Sequence, residues 1–324
     1  MFSIIIPLYN KAAYIKKAIY SVLNQTYSDF ELIIVNDGST DNSFSQLSVI
    51  SYQLSVDNLE QFRKIRVVDQ PNQGVSTARN NGVKLANYDY IAFLDADDWW
   101  ESTYLAEMKH LIEEYPEAYI YGSSYFKVLK GNLIPAKIGV EPDFERGLID
   151  YCKVYSRSLY QPLWTGATII KKSVFIEENG FNPKLKMGED FDLWIRVVMK
   201  QPVALLNKPL AYYNQDVVLA NRAIGDKLYE PQQHMLFSDY SAYESNTDFC
   251  YMFETLAVYG LLPYYLAGKN KKEVNSILGN IHWENHSFKY RLFYRILPKW
   301  LVKFWLKVKK SAYLLKMKLL PTNL

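Results

Sequence analysis

The sequence predicts an α/β fold, in which a mostly parallel β-sheet is flanked by helices and followed by a helical C-terminal extension. Three observations lead to this prediction. Through the first part of the chain, short apolar runs alternate with helical patterns of about a dozen residues, as in parallel sheets that helices cover on both faces. Turn and helix-start residues separate these segments. From residue 226 onward the pattern is mostly helical, without a repeat or a low-complexity linker.

The individual elements follow from apolar spacing and from the residues that interrupt it. Pro7 closes the first apolar run, and Gly74 opens the second helical segment. Beyond about residue 115 the pattern loosens into Tyr-rich stretches with Gly and Pro. The predicted strands are residues 2–8, 31–36, 64–69, 90–94 and 164–170. The predicted helices are residues 11–23, 75–86 and 189–199.

The composition is that of a folded, globular protein. Of the 324 residues, 49% are hydrophobic and 22% are charged, which excludes a disordered chain. The two cysteines, Cys152 and Cys250, lack metal-ligand spacing and indicate a reducing compartment. The N-terminus has no basic region and meets Pro7 after a short apolar run, so we expect a strand of the mature fold there and not a signal peptide.

Basic charge is concentrated near the C-terminus. Residues 286–320 contain ten Lys or Arg and no Asp or Glu, which leaves 27 basic and 34 acidic residues in the rest of the chain. Within residues 299–310, basic and apolar side chains take different sides of a predicted helix. The basic stripe is Lys299, Lys303, Lys307 and Lys310, and the apolar side is Trp300, Leu301, Phe304, Trp305 and Val308.

Such a helix is expected to lie on an anionic membrane surface. Charges recur too often for a membrane-spanning helix, whereas a basic face beside Trp, Phe and Leu is typical of an interfacial one. The alternative is a helix packed on the acidic remainder of the chain. Nucleic acid is not expected as a partner, because the apolar face would stay exposed on it. The expected location is cytoplasmic, at the inner face of the cell membrane.

Polar residues follow three predicted strands at the edge where parallel strands end. These are Asp37, residues 70–74 and residues 95–98. Ligands of such sheets collect at the carboxyl ends of the strands, where the strand order switches. The turn after the first strand has no glycine-rich loop, which argues against a dinucleotide-binding dehydrogenase and a P-loop NTPase. Phosphate charge must then be neutralised by another group, such as a metal.

Asp95-Ala96-Asp97 supplies candidate metal ligands. The two carboxylates lie on one side of an extended segment, because side-chain direction repeats every two residues. Hard oxygen ligands suit Mg²⁺ or Mn²⁺, which usually bridge a carboxylate and substrate phosphates. The alternative is that Asp97 or Asp98 caps a helix that begins near Glu101.

Other candidate residues also have structural alternatives. Asp37 suits an Asx turn as well as a hydrogen bond to a nucleobase imide. Arg79 suits phosphate or base binding as well as an ion pair with a surface acid. Asp190 lies in the first turn of a predicted helix, where the helix dipole alone favours an acid. Asp192 and Arg196 are spaced for a pair within that helix.

Taken together, the motifs resemble those of the family 2 glycosyltransferases, which have the Rossmann-like GT-A fold. The matching segments, over about residues 1–215, are FSIIIPLYN, ELIIVNDGSTD, QPNQGVSTARNNG, IAFLDADD and GEDFDLWIR. The resemblance implies an inverting, metal-dependent transfer of a sugar from a nucleotide-diphosphate sugar, expected to be a UDP-sugar, to an acceptor hydroxyl. The acceptor class expected is a polysaccharide, a cell-surface glycan or a lipid-linked oligosaccharide.

The resemblance also implies roles for individual residues. Asp37 would read the base, Asp95 the ribose, and Asp97 would bind Mn²⁺ or Mg²⁺ on the diphosphate. Asp190 would be the general base. The other expected nucleotide-sugar contacts are Pro7, Tyr9, Arg79 and Ala96. Many relatives have a His shortly after the final strand that helps to bind metal or phosphate, and this chain lacks it. Gln215 or Asp216 would have to substitute.

The expected catalytic domain covers residues 1–220. Its nucleotide-sugar part is about 1–115 and its acceptor part about 116–220, and residues 221–324 form the helical region with the basic tail. Two other functions compete with the glycosyltransferase. A nucleotidyltransferase acting on sugar phosphates usually needs a glycine-rich, basic loop after the first strand. The other competitor is a catalytically silent module that binds nucleotide sugars.

Overall fold

A computed structural model describes residues 1–217 and 227–318, with the side chains of the last helix described to residue 309. The chain divides into two compact units, Met1–Ala223 and Ile224–Leu324. The boundary expected at residue 220 falls within residues 218–226, which lie outside the described residues, and it stays a prediction.

The first unit is built on one sheet, to which the described residues contribute ten strands. Eight of them lie in the order β3-β2-β1-β4-β9-β6-β10-β5, and the other two, β7 and β8, pair with β6 and β10. The strands are β1 (Phe2–Leu8), β2 (Phe30–Asp37), β3 (Ile65–Gln70), β4 (Tyr90–Phe93), β5 (Trp99–Trp100), β6 (Ile120–Leu129), β7 (Asn132–Pro135), β8 (Arg146–Ile149), β9 (Thr168–Lys171) and β10 (Val203–Asn214).

Helices flank this sheet, which confirms the predicted α/β architecture. They are α1 (Ile15–Leu23), α2 (Ser43–Asp57), α3 (Leu59–Arg63), α4 (Val75–Leu85), α5 (Tyr104–Glu114), α6 (Tyr151–Ser158), α7 (Lys172–Glu177) and α8 (Glu189–Val198). Every residue of β1 is buried, as expected for a parallel strand covered on both faces. The core therefore lies on both sides of this strand.

The strand order changes direction at β1. The chain passes from β1 to β2 and then β3 on one side, and returns to place β4 on the other side. All four strands are parallel, so their carboxyl ends share one edge of the sheet. The loops after β1, β2 and β4 therefore meet at the switch point where ligands of such sheets bind.

The later strands differ from the predicted parallel arrangement. Of them, only β6 and β10 are parallel to each other, whereas β5, β7, β8 and β9 pair in antiparallel fashion. Lys130 and Gly131 join β6 to β7 with positive φ angles of 51° and 72°. A two-residue turn of this kind gives an antiparallel hairpin and leaves no room for the crossover that a parallel pair needs.

One strand prediction needs correction, and one long strand was not predicted. Residues 164–170 were expected to be a strand, but Thr165–Ala167 form a 3₁₀ turn and only Thr168–Lys171 are extended. Strand β10 was not predicted, because Pro209 interrupts its apolar pattern. In the structure the pairing register between β6 and β10 shifts on either side of Pro209, which accommodates the missing N–H group.

The second unit is helical in its described residues, which confirms the predicted C-terminal extension. Its helices are α9 (Thr247–Gly260), α10 (Leu262–Ala267), α11 (Lys271–Gly279), α12 (Phe288–Arg291) and α13 (Lys299–Lys318). The Glu254 carboxylate of α9 contacts Nδ1 of His282 at 2.6 Å and Nε2 of His286 at 2.8 Å. These contacts fix the segment that precedes α12. Across the described chain, every helix is too short or too polar to cross a bilayer.

Gly82 allows α4 to pack closely against β1, and this close approach is testable. A Cβ atom at Gly82 would lie 2.4 Å from Cγ2 of Ile5. Gly82→Ala should therefore lower the free energy of unfolding by about 1–3 kcal/mol, although alanine is normally the better helix former. Chemical denaturation of the purified protein measures the change. Lys84→Ala, an exposed position on the same helix, should change it by less than about 0.5 kcal/mol.

Candidate functional site

The loops after β1 and β2 are cross-linked by side chains of the two motifs. Asn10 has a positive φ of 52°, and its Oδ1 accepts hydrogen bonds from the backbone N–H groups of Thr40 (2.8 Å) and Asp41 (3.2 Å). In return, Ser43 Oγ accepts the N–H of Lys11 at 2.9 Å. Many of the polar residues in these motifs thus hold the turn itself.

Two of the predicted nucleotide contacts belong to β1 and its turn. Pro7 is buried near the end of the strand, beyond the residues that pair with β4. Tyr9 is 45% exposed and lies next to the cross-linked turn. The positions suit residues that line a pocket, and their nucleotide-binding role stays a prediction.

Asp37 is buried at the end of β2 and holds the loop that follows β3. Its Oδ1 accepts hydrogen bonds from Gln70 Nε2 (2.7 Å) and from the N–H of Gln73 (2.8 Å), and its Oδ2 accepts the N–H of Gly74 (2.8 Å). These bonds hold the loop after β3 and are not the Asx turn considered for Asp37; in its own turn, the N–H of Ser39 donates to Asn36 Oδ1 at 3.2 Å. A contact with a base has to be made in addition to these three bonds, or in exchange for one of them.

Arg79 on α4 is buried and joins two acidic segments. Its Nη2 lies 2.6 Å from Asp95 Oδ1, and its Nη1 lies 3.2 Å from Glu189 Oε1. The guanidinium carbon is 5.2 Å from the centre of the Phe181 ring. Burial alone would lower the pKa of Arg79, but the charges of Asp95 and Glu189 raise it above its ordinary value. Arg79 therefore acts as a permanent cation between the loop after β4 and the start of α8.

The remaining carboxylates of the loop after β4 have separate partners. Lys11 Nζ lies 2.5 Å from Asp97 Oδ2, and Asp98 Oδ1 accepts the N–H of Asn214 at 2.7 Å. Burial raises the pKa of Asp97, and it raises the pKa of Asp98 by more. The charges of the neighbouring acids add to both shifts. Capping does not explain these acids, because α5 begins later, after its N-cap residue Thr103.

The donor set fits a divalent cation that is shared with a diphosphate. Asp95 and Asp97 offer carboxylate oxygens around buried Ala96, and Mn²⁺ or Mg²⁺ is commonly held by one or two carboxylates plus substrate phosphates. Among the described residues, no group of three acids, histidines or cysteines is arranged to hold a metal. The proposed substitute Asp216 accepts the N–H groups of Lys130 and Gly131 instead, which holds the β6–β7 hairpin.

Asp190 lies in the first turn of α8 and is oriented by neighbouring side chains. Its Oδ2 accepts hydrogen bonds from Gln161 Nε2 (3.0 Å) and Thr165 Oγ1 (3.2 Å), and its Oδ1 accepts the N–H of Phe191 (2.7 Å). The preceding residue, Glu189, contacts Arg79, so Asp190 is held beside the Asp95 network. Burial raises the pKa of Glu189, and the charge of Asp190 raises it further.

Asp192, by contrast, has the structural role predicted for it. Its Oδ2 lies 2.9 Å from Arg196 Nη2, and Arg196 also donates to the carbonyl of Gly180 at 2.8 Å. These contacts fasten α8 to the segment before it. The two acids of this helix turn therefore differ: Asp192 is paired with an arginine, whereas Asp190 accepts hydrogen bonds from neutral groups.

The structure thus brings Arg79 and Asp95 together beside the start of α8, with Asp97 in the same loop as Asp95 and paired with Lys11. Asp37 belongs to a separate group of contacts at the end of β2. The sequence did not single out four residues that complete the site. They are Lys11, Gln161, Thr165 and Glu189. Their contacts join residues 25 to 110 positions apart, which no local pattern can reveal.

Comparisons with known proteins agree with this architecture. The family model for glycosyl transferase family 2 matches residues 3–176. An uncharacterized glycosyltransferase of Rickettsia felis is 32% identical over 211 residues, covering 64% of this chain and 32% of that protein. The uncharacterized glycosyltransferase EpsJ of Bacillus subtilis is 38% identical over 125 residues, covering 39% of this chain and 34% of its own. The matches thus span about a third of these relatives' lengths.

A solved structure extends the likeness. TarS of S. aureus (residues 1–349), crystallised with UDP-GlcNAc, has a TM-score of 0.59 and 17% sequence identity, covering 91% of this chain and 76% of that one. This likeness shows the fold and confirms the expected GT-A architecture. With a family model that matches more than half of its residues, the chain belongs to glycosyl transferase family 2.

Proposed function

We propose that the chain is an inverting glycosyltransferase that moves a sugar from a nucleotide-diphosphate sugar to an acceptor hydroxyl. One observation carries the proposal: Asp190 is oriented by Gln161 and Thr165 and held, through Glu189 and Arg79, beside the loop that carries Asp95. This arrangement supports a role for Asp190 as the base beside the proposed donor site. A UDP-sugar is the proposed donor, in keeping with the UDP-GlcNAc bound by the similarly folded TarS.

The proposed reaction is a single displacement. Asp190 takes the proton of the acceptor hydroxyl as that oxygen forms a bond to the anomeric carbon and the bond to the diphosphate breaks. Because the acceptor attacks opposite the leaving group, the anomeric configuration is inverted. Gln161 and Thr165 orient the carboxylate, as their hydrogen bonds to Oδ2 limit its rotation.

The donor would bind along the carboxyl ends of β1, β2 and β4. Pro7 and Tyr9 would line the pocket, Asp37 would contact the base, and Asp95 the ribose. Arg79 is proposed to act through Asp95, which it already contacts at 2.6 Å. Ala96 would contact the nucleotide sugar. Mn²⁺ or Mg²⁺ would be held by Asp97 and would supply positive charge to the leaving diphosphate.

The competing functions fit the geometry less well. A nucleotidyltransferase would need a glycine-rich, basic loop after β1, whereas this turn contains Asn10 bonded to the loop after β2. A silent binding module would not need an oriented carboxylate beside the donor site. Thermal shift with a panel of nucleotide sugars and Mn²⁺, followed by turnover with the donor identified, separates the three functions.

Asp190→Asn should lower turnover by about 10²–10⁴-fold with little change in donor affinity, because the amide cannot accept the proton in the transition state. Donor consumption under saturating acceptor measures turnover, and calorimetry measures donor affinity. The control is Asp192→Asn on the same helix turn. It should lower thermal stability by removing the pair with Arg196 and affect turnover far less. A loss of turnover below about threefold in Asp190→Asn contradicts its role as base.

Asp97→Asn should abolish metal-dependent binding of UDP, because the amide is a poor ligand for a hard cation. The matched control is Asp98→Asn, which keeps the Oδ1 acceptor for the N–H of Asn214 and should bind UDP with Mn²⁺ nearly as well as the unchanged protein. Calorimetric titration of UDP with and without Mn²⁺ compares the two variants. Near-normal metal-dependent binding by Asp97→Asn would show that Asp97 is not the ligand.

We also propose that helix α13 docks on the cell membrane from the cytoplasmic side and presents the enzyme to a lipid-linked or surface-glycan acceptor. Trp300, Phe304 and Val308 are 69%, 62% and 53% exposed and repeat every four residues along one side of the helix. Lys303 and Lys307 are exposed beside them. The apolar and basic residues needed at an anionic interface are therefore both accessible within the second unit.

The basic stripe proposed from the sequence is only partly accessible. Lys299 donates to the carbonyl of Tyr265 at 2.5 Å and is half-buried, while the side chain of Lys310 lies outside the described residues. Val302, in contrast, is buried and forms the packed side of the helix. The proposal therefore rests on Lys303 and Lys307, together with the exposed apolar side chains.

Reversing both exposed charges, Lys303→Glu with Lys307→Glu, should weaken binding to anionic vesicles by about 30-fold or more. Each lysine near such a surface contributes about 1 kcal/mol, and reversal adds repulsion. Liposome flotation at low salt measures the bound fraction. The control carries the same reversal on α11, at the exposed residues Lys271 and Lys272, and should float like the unchanged protein. Equal flotation of both double variants would rule out docking through α13.

A further inference from the structure

Among the residues that the structure describes, Lys11 forms an ion pair with Asp97, the carboxylate proposed to hold the metal. Its ammonium lies 2.5 Å from Asp97 Oδ2, and the two side chains are only 15% and 18% exposed. The other acids of the loop are satisfied differently, since Asp95 contacts Arg79 and Asp98 accepts a backbone N–H group. Lys11 thus provides the charge that a metal would otherwise bring to Asp97.

A divalent ion and this ammonium cannot keep the same position. A metal of this class binds carboxylate oxygens at about 2.0–2.2 Å, inside the distance at which Lys11 Nζ now lies. Both are cations, and the two side chains are largely shielded from solvent. A metal at Oδ2 of Asp97 would therefore take the place of the ammonium, and a metal at Oδ1 would leave two cations on one carboxylate, where their repulsion favours movement of the ammonium.

The backbone of Lys11 is held while its side chain is long and adaptable. Its N–H donates to Ser43 Oγ at 2.9 Å, and the adjacent Asn10 is bonded to the loop after β2. A lysine has four flexible carbons and a compact charge, so its ammonium can change partners without moving the turn. The turn itself lies at the strand-order switch, where the diphosphate of the donor is proposed to bind.

We propose that Lys11 is a resident counter-cation at Asp97 that the metal displaces, and that the displaced ammonium then binds the diphosphate of the donor. This inference rests on the proposed function. It makes the affinities for metal and nucleotide depend on each other. When the nucleotide diphosphate binds the ammonium of Lys11, Asp97 becomes free to bind the metal. By linkage, bound metal raises the affinity for nucleotide by the same factor. Lys11 would thereby favour binding of the two together over binding of the metal alone.

Calorimetric titrations of the full chain with Mn²⁺ alone, and with UDP in the presence of EDTA, test both steps. Lys11→Met should bind Mn²⁺ alone at least about tenfold more tightly, because the competing charge is gone. It should bind metal-free UDP about tenfold more weakly, because a phosphate-binding cation is lost. Lys11→Arg retains the charge and should bind Mn²⁺ like the unchanged protein.

Lys16→Met, an exposed lysine on α1, is the matched control and should leave both affinities within about twofold. Circular dichroism and thermal unfolding establish that each variant is folded. Unchanged or weaker Mn²⁺ binding by Lys11→Met, or no Mn²⁺ binding by any variant, overturns the displacement. Unchanged metal-free UDP affinity overturns the second step. Failure of the unchanged protein to bind any nucleotide sugar would count against the proposed function, while the titration with Mn²⁺ alone would still decide the role of Lys11.

Discussion

Balance of charge at one edge of the sheet is the constraint on which the site depends. Asp95, Asp97 and Asp98 lie within four residues, and two like charges 4 Å apart repel by about 4 kcal/mol at an effective dielectric constant of 20. Arg79 and Lys11 offset this repulsion from α4 and from the turn after β1. Because Arg79 also contacts Glu189, the same ion pairs fix the start of α8 relative to the loop after β4. Electrostatic compensation thus organises the predicted donor and acceptor sides together.

The two cations are positioned in different ways, Arg79 by helix packing and Lys11 by hydrogen bonds. Gly82 and Arg79 lie on the same helix, and the missing side chain of Gly82 allows α4 to approach Ile5 of β1. A larger residue there would push the helix outward and carry the Arg79 guanidinium away from both of its carboxylates. Lys11 is placed by hydrogen bonds instead, since Asn10 ties its turn to the loop after β2. The positions of Arg79 and Lys11 in the site are therefore determined by a close helix–strand contact and by a cross-linked turn.

The elements that could be predicted from sequence are those with a local signal. Strands β1 to β4 and helices α1, α4 and α8 follow from apolar periodicity, which depends on near neighbours in the chain. The later strands were largely missed, because Pro209 breaks the pattern of β10 and because strands such as β5 are too short to show one. The family motifs singled out Asp97 and Asp190 as candidates, but not Lys11 or Gln161, which contact them in the structure. Such partners are set by how the strands pair, which no single segment encodes.

Packing requirements alone do not account for the large apolar side chains that helix α13 keeps exposed. Lys299 donates to the carbonyl of Tyr265, and Trp305 contacts the ring of Phe293, so α13 packs within the second unit through only part of its surface. Trp300, Phe304 and Val308 point elsewhere, where apolar surface exposed to water gains nothing for folding. Exposed apolar residues that recur on one helix face usually mark an interaction surface, and the lysines beside them favour an anionic one. All the acidic residues of this chain lie before residue 286, and the basic segment 286–320 contains none. The cation site proposed at the sheet edge and the anionic surface proposed for α13 therefore depend on separate parts of the chain.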